Sequence, residues 1–179
     1  ASAFLLFAES FAGYADKNVF LTDAAHNLDL LTEAADASAL FPRVRGSAPA
    51  PLAGVTYDAF LASYRAEFGE EARSLSFTAN AYDAAWLTLV GATWAALQET
   101  GFGGRALARG LRRVTGGVPV TFGADALGVT HDRFRLGEAI DVEGASGALD
   151  YDPTLEETSA PVEVWTIRAD ATGFASQYE

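Results

Sequence analysis

The residues of this sequence that could bind a small molecule follow two short apolar runs near its start. Glu9 and Ser10 follow the run FLLFA, and Thr22 and Asp23 follow the run NVFL. In an open parallel sheet, ligands bind beyond the carboxyl ends of the strands, where loops and helix N-termini present polar groups together. A carboxylate at that edge can hold an ammonium group. We therefore predict a ligand site in one crevice shared by the two strand ends.

Each of these carboxylates also has a simpler interpretation. Asp23 could cap the helix that follows it, because an aspartate at an N-cap accepts a hydrogen bond from a backbone N–H group of the first turn. Glu9 could be an ordinary side chain in contact with solvent. The sequence alone leaves both alternatives open.

Residue types and spacings that are typical of catalysis or metal binding are sparse. The chain has no cysteine and no G-x-S-x-G sequence, and its two histidines, His26 and His131, have no second histidine or cysteine at i+3 or i+4. The acidic residues between 150 and 157 lack the central glycine of a calcium-binding loop, and GFGG at 101–104 follows a predicted helix instead of a strand. We therefore predict no metal site and no cofactor.

Composition and charge narrow the class of protein. Half of the 179 residues are hydrophobic, and the formal net charge is -12. A nucleic-acid-binding surface needs clustered Lys and Arg, so we predict no nucleic-acid partner. The sequence has no apolar run near the roughly 18 residues of a membrane-spanning helix, and its first residues lack the basic segment of a signal peptide. It contains no methionine, which indicates a processed or excised part of a longer product.

The first 50 residues alternate between predicted strands and helices. Continuous apolar runs predict buried strands over Phe4–Glu9 and Asn18–Asp23, and a helix over His26–Ala37 is expected to begin with Asn27 as its N-cap. The segment Arg43–Ala50 is predicted to be extended. A strand followed by a helix and another strand is typical of a parallel α/β sheet. The interval before Asn18 is shorter than the ten or so residues of a crossover helix, so a single turn or a missing piece is expected there.

Helices dominate the middle of the sequence, and strands return near its end. Apolar spacing predicts one helix from Thr56 to Gly69 and a long, mostly buried helix from Thr78 to Thr100. A shorter helix is predicted around Leu107–Val114, with Gly116 and Gly117 ending it. In the last third we predict strands in VEGASGALDYD and VEVWTI, and a turn at Asp152-Pro153.

Several stretches, taken in order, resemble the C-terminal half of type I periplasmic solute-binding proteins, the branched-chain amino acid receptor group. They are NVFLTDAAHN, RGSAPA, YDAFLASYRAEFGEEA, SFTANAYDAAWL, and IDVEGASGALDYD ahead of VEVWTI. They include an F-x-x-x-Y-x-x-x-F-G helix at 60–69, a Y-D-A sequence at 82–84, and G-x-S-G-x-L-x-[FY]-D at 144–152. The resemblance covers nearly the whole chain, although a complete receptor is about twice as long.

The resemblance implies an α/β fold made of parallel-sheet lobes, of which the chain holds the second lobe and the returning part of the first. Residues 1–55 would belong to the C-terminal lobe, 56–150 would pack on the N-terminal lobe, and 151–179 would return to the C-terminal lobe. Ligand would bind between the two lobes, and closure of the lobes would be recognised by a membrane permease.

The resemblance also implies positions for ligand contacts. Asp23 and Ala24 lie where the second lobe would contact a ligand amine, and Glu9, Ser10 and Phe11 lie in the neighbouring cleft loop. From the first-lobe side, Phe77 and Tyr82 could face the cleft. Tyr82 has an alternative interpretation as a core residue, because it continues the apolar stripe of its helix.

The implied protein is not an enzyme. It is an extracytoplasmic component of an ABC importer, in the periplasm or lipid-anchored at the cell surface, that captures an amino acid or a similar small polar solute. Its partners would be that solute and a membrane permease, and exposed sheet edges of an incomplete lobe would favour a homodimer. Two alternatives remain open: a sensory or regulatory ligand-binding domain of the same fold, and an α/β hydrolase-like or sugar-modifying fragment that uses Asp23 or Glu9 as an acid or base.

Overall fold

The chain folds into two units, each built around its own hydrophobic core. The computed structural model describes residues 1–50, 53–75, 77–152, 154–155, 157–158 and 160–177. The first unit comprises Ala1–Pro51, Glu71–Ser76 and Pro161–Glu179, and the second comprises Leu52–Glu70 and Phe77–Ala160. The predicted boundaries near residues 55 and 150 concern the lobes of a longer protein, and they stay a prediction.

The described residues form six α-helices, nine strands and four 3₁₀ helices. The α-helices are α1 (Ser2–Ser10), α2 (Asp29–Glu33), α3 (Val55–Phe68), α4 (Thr78–Gln98), α5 (Gly104–Leu111) and α6 (Ala126–Arg135). The strands are β1 (Val19–Leu21), β2 (Val44–Pro49), β3 (Val118–Thr121), β4 (Ile140–Gly144), β5 (Gly147–Ala148), β6 (Tyr151–Asp152), β7 (Glu157–Thr158), β8 (Val162–Ile167) and β9 (Phe174–Ser176). The 3₁₀ helices are Ala12–Tyr14, Asp23–Ala25, Ala35–Arg43 and Ala72–Ser74.

The first unit is a four-stranded sheet packed against helices. Its strand order is β1-β2-β8-β9, with β1 and β2 parallel and the other two pairs antiparallel. Buried and partly exposed positions alternate along β2, as expected for a strand with one face on the core. The chain passes from β1 to β2 through helical segments, so the predicted strand-helix-strand unit is confirmed. Its core includes Leu5, Leu40, Val44 and Trp165.

The predicted strand over Phe4–Glu9 is wrong, because these residues lie in α1. The buried residues of this helix are Leu5 and Ala8, which are three apart and therefore share one helical face. A continuous apolar run cannot distinguish a strand from a helix when both of its faces are apolar. Here the second apolar face is aromatic and remains exposed, with Phe7 55% accessible.

The helix predicted over His26–Ala37 is α-helical only over Asp29–Glu33, which form α2. The 3₁₀ helix over Ala35–Arg43 follows it and extends beyond the predicted end. The N-cap position of α2 is Leu28 and not Asn27 as predicted, although the side-chain oxygen of Asn27 accepts a hydrogen bond from the Leu30 N–H of the first turn at 3.1 Å. The extended segment predicted over Arg43–Ala50 is β2.

The second unit contains the long helix α4 and a three-stranded sheet of order β3-β4-β5. The helices predicted over 56–69 and 78–100 are α3 and α4, and Gly69 ends α3 in the left-handed conformation with φ of 71°. The predicted short helix is α5, which ends at Leu111, before the glycines expected to stop it. A Cβ on Gly110 would lie 2.7 Å from the Cβ of Trp94, so glycine allows α5 to approach α4 closely.

Four α-helices or strands of the described residues have no counterpart in the sequence prediction: β3, α6, β7 and β9. β3 pairs in parallel with β4, and α6 connects them as a crossover helix. The predicted strands in VEGASGALDYD and VEVWTI are β4, β5, β6 and β8. Pro153 and Glu156, which belonged to the predicted turn and acidic group, lie outside the described residues. No helix among the described ranges is both long enough and apolar enough to cross a membrane.

Candidate ligand-binding site

Asp23 lies directly beyond the carboxyl end of β1, in a 3₁₀ turn over Asp23–Ala25. The turn is closed by two backbone hydrogen bonds, from the Ala25 N–H to the Thr22 carbonyl at 3.0 Å and from the His26 N–H to the Asp23 carbonyl at 2.9 Å. Because β1 pairs in parallel with β2, this is the edge of a parallel pair at which the sequence predicted a ligand contact.

The Asp23 carboxylate is held by a hydrogen bond within its own turn, although the N-cap position of that turn is Thr22. Its Oδ1 accepts this bond from the Ala24 N–H at 2.8 Å. The side chain is half-buried, and within the described residues the other oxygen accepts no hydrogen bond. Ala24 is exposed. Oδ2 is therefore the atom of this turn that could bind an ammonium group.

The side chains that follow the turn fix its backbone. The Asn27 side-chain amide donates to the Ala24 carbonyl at 2.9 Å, while its oxygen accepts from the Leu30 N–H in the first turn of α2. The imidazole ring of His26 stacks on the indole of Trp165, with ring centres 5.3 Å apart and planes 16° from parallel. It also meets the ring of Phe174 at 4.6 Å. Burial in this aromatic environment lowers the pKa of His26, because the charged imidazolium is poorly solvated there.

Glu9, Ser10 and Phe11 do not lie at the end of a strand. Glu9 and Ser10 are exposed residues of the last turn of α1, and the Ser10 hydroxyl donates to the Phe7 carbonyl at 2.8 Å. The Phe11 ring stacks on Phe7 with centres 5.6 Å apart. The expectation that two strand ends share one crevice is therefore wrong, since Asp23 alone of the two carboxylates follows a strand. A ligand role for Glu9, Ser10 and Phe11 stays a prediction, but a strand edge shared with Asp23 no longer supports it.

Phe77 and Tyr82 lie at the N-terminal end of α4 in the second unit. Phe77 precedes the helix with φ of 66° and ψ of 3°, a left-handed conformation that is rare for a bulky side chain, and its ring is 44% exposed. The Phe77 carbonyl accepts a hydrogen bond from the Ala81 N–H at 2.8 Å. Tyr82 is half-buried and contacts Phe60 and Trp86, so it packs with core aromatic residues, as its alternative interpretation predicted.

A solved structure with a similar fold is described as a putative branched-chain amino acid ABC transporter from Rhodospirillum rubrum. The match covers 95% of this chain and 40% of that chain, at a TM-score of 0.50 and 18% sequence identity. The two share a fold. The fold class predicted from the sequence, α/β with the parallel-sheet lobes of a type I periplasmic binding protein in partial form, is confirmed. No protein-family model matches the sequence, and no curated protein does.

One contact that joins two of the sequence motifs was not predicted. Asp83, from the Y-D-A sequence, is 2% exposed and accepts three hydrogen bonds from the turn between β4 and β5. The donors are the Ala145 N–H at 2.8 Å, the Ser146 N–H at 2.6 Å and the Ser146 hydroxyl at 2.5 Å. The signal was a buried aspartate on an apolar helix, which needs donors from elsewhere in the chain.

The second unit also has a shallow surface cavity of about 360 Å³ lined by Asp150, Tyr151, Asp152, Leu155 and Glu157. Asp152 Oδ1 accepts hydrogen bonds from the N–H groups of Thr154 and Leu155, at 2.6 and 3.1 Å, and these bonds lower the pKa of Asp152. The carboxylate thus stabilises its own turn. Across the described ranges, no cluster of three or more His, Asp or Glu side chains could hold a metal ion.

Proposed function

We propose that this chain is part of an extracytoplasmic solute-binding component of an ABC importer, and that it captures an amino acid or a similar small polar solute. The observation that carries the proposal is the half-buried Asp23 carboxylate, held just beyond a parallel strand with one oxygen engaged in its turn. The fold supports it, since the similar structure is described as a putative branched-chain amino acid ABC transporter. Because this chain spans 40% of that one, the importer, its permease and an extracytoplasmic location belong to the proposal.

Asp23 would bind the ammonium group of the solute through Oδ2. The neighbouring residue, Ala24, is small and exposed. A carboxylate that is already fixed by one hydrogen bond loses little conformational freedom on binding, which favours affinity. The contacts expected for Phe77 and Tyr82, pairing of two copies and a lipid anchor stay predictions.

The test is a thermal-shift screen of the chain against the twenty amino acids, followed by calorimetric titration of each amino acid that stabilises it. A ligand that binds only the native state raises the melting temperature. Asp23→Asn keeps an oxygen for the Ala24 N–H but removes the charge, so it should weaken binding by about 10- to 150-fold, which corresponds to the roughly 1.5–3 kcal/mol of a charge-assisted hydrogen bond.

Asp16→Asn is the matched control, because Asp16 is an exposed aspartate of the same unit. It should leave the affinity unchanged. Absence of stabilisation by any amino acid would contradict the proposed function. Equal affinity of the wild type and Asp23→Asn would remove Asp23 from the site.

A further inference from the structure

The turn that presents Asp23 is too short to hold its own shape. It is a single 3₁₀ turn of three residues closed by two backbone hydrogen bonds, and such short segments are marginal in isolation. Its last hydrogen bond comes from the N–H of His26, so the backbone of His26 is part of the turn. Contacts that hold His26 in place therefore also restrain the turn.

The His26 side chain is fixed by two aromatic rings from the end of the sequence. It lies parallel to Trp165 of β8 and meets Phe174 of β9 edge-on, and these two rings contact each other with centres 5.1 Å apart. β8 and β9 are adjacent strands, paired through Trp165–Ser176 and Ile167–Phe174. The histidine ring is thus a third member of an aromatic cluster attached to the sheet.

The indole at the centre of this cluster has little freedom to move. Trp165 is 0% exposed, and β8 is hydrogen-bonded to strands on both sides. Its partner across the ladder is Gly46, and a Cβ at that position would overlap the indole ring. The absence of a side chain at Gly46 therefore allows the ring to lie against the β2 backbone.

We propose that His26 is a positioning residue for the ligand site: its ring, held between Trp165 and Phe174, fixes the Asp23–Ala25 turn and so the direction of the Asp23 carboxylate. This inference rests on the proposed function. It assigns the aromatic cluster of the first unit to ligand binding, although no ring of that cluster needs to touch the ligand.

The first measurement is amide hydrogen exchange by NMR on the full chain, and it requires no ligand. His26→Ala should accelerate exchange at the N–H groups of residues 25 and 26 by about 10-fold, since each aromatic contact corresponds to roughly a 2- to 12-fold change in an equilibrium constant. His26→Phe keeps a stacking ring and should stay within about 3-fold of the wild type. The amides of β2 and β8 should change little in both variants.

Leu5→Val is the control, because it removes one methylene from the same core on α1, a helix that contributes no ring to the His26 cluster, and lowers overall stability. It should leave exchange at residues 25 and 26 unchanged relative to the strand amides. Acceleration in His26→Ala that is equal across the turn and the strands would show general destabilisation and would overturn the proposal. Equal acceleration by the Ala and Phe variants would overturn it too, because stacking would then not be the cause.

The second measurement is the dissociation constant for L-leucine, which separates failure of this inference from failure of the proposed function. If the wild type binds L-leucine, His26→Ala should weaken binding by about 10-fold and His26→Phe should retain it. A looser turn with unchanged affinity would overturn the positioning role. If no amino acid binds the wild type, the proposed function fails, and His26 then positions a turn that has no such ligand.

Discussion

Replacement of Asp83 is the most direct test of what holds the second unit together. Its carboxylate is 2% exposed and accepts hydrogen bonds from two backbone N–H groups and one hydroxyl of the β4–β5 turn. Asp83→Ala leaves all three donors without this acceptor, and the Ala145 N–H is buried away from water. Hydrogen bonds to a charged acceptor contribute roughly 1.5–3 kcal/mol each but are not additive, so we expect a loss of about 3–5 kcal/mol in the free energy of unfolding.

Smaller changes at this contact should each cause part of this loss in the free energy of unfolding. Asp83→Asn keeps one oxygen acceptor and should cost about 1.5–3 kcal/mol, and Ser146→Ala removes one donor and should cost about 1–2 kcal/mol. The double variant Asp83→Ala with Ser146→Ala should cost less than the sum of the single changes, because both remove the same hydrogen bond. A Cβ on Gly144 would lie 2.6 Å from the Asp83 Cγ, so Gly144→Ala should also destabilise this turn.

The assay is urea unfolding followed by tryptophan fluorescence, in which Trp86 and Trp94 report on the second unit and Trp165 on the first. With m-values of about 1–3 kcal/mol/M, a loss of 3 kcal/mol lowers the midpoint of the second unit by roughly 1–3 M. Asp150→Asn, an exposed aspartate of the same unit, is the control and should be neutral. An Asp83→Ala midpoint within about 0.3 M of the wild type would refute this reasoning.

Three further predictions concern single residues. Burial lowers the pKa of His26, so its contribution to stability is complete above its unfolded pKa of 6.5 and is lost as the pH falls below that value. The melting temperature of the wild type should therefore fall between pH 7 and pH 5, and that of His26→Phe should lack this His26-dependent fall. Gly46→Ala should destabilise the first unit by about 1–3 kcal/mol, measured by urea unfolding with Trp165 fluorescence, because the new Cβ overlaps that ring. Phe77→Gly removes a non-glycine side chain from positive φ and should stabilise the second unit by about 0.5–1 kcal/mol, measured by urea unfolding with tryptophan fluorescence. Weaker amino-acid binding by this variant would support the predicted contact of Phe77 with ligand.

Helices with a clear apolar period were predictable from the sequence, and segments without one were not. The spacing of apolar residues in α3 and α4 identified both, and the left-handed Gly69 was expected at the end of α3. In α6 the fully buried positions are Ala126, Thr130 and Phe134, of which only Phe134 is a large apolar residue, so its stripe carries little signal. The four-residue strand before it contains a proline, which further weakens a strand pattern.

The apolar run at the start of the chain led to a wrong prediction of a strand. The run FLLFA in α1 reads as a buried strand only if its apolar residues are all buried, but Phe4 and Phe7 remain 39% and 55% exposed. Exposure of large apolar side chains depends on what packs against a helix, and a single sequence does not contain that information. The same error affected the predicted ligand site. Glu9 was expected at the end of a strand because the run FLLFA was predicted to form one.

The motifs that suggested a family are, in the structure, mostly contacts that build the fold. Asp83 of the Y-D-A sequence accepts hydrogen bonds from Ser146 of the G-x-S-G sequence. Gly46 of RGSAPA has no side chain, which leaves space for the ring of Trp165 in VEVWTI. Such pairs can persist in any protein that keeps the fold, whatever it binds. Likeness in these stretches therefore supports the architecture more strongly than the activity. The functional proposal depends instead on Asp23, because its carboxylate is the group in NVFLTDAAHN that can discriminate an amine from a neutral solute.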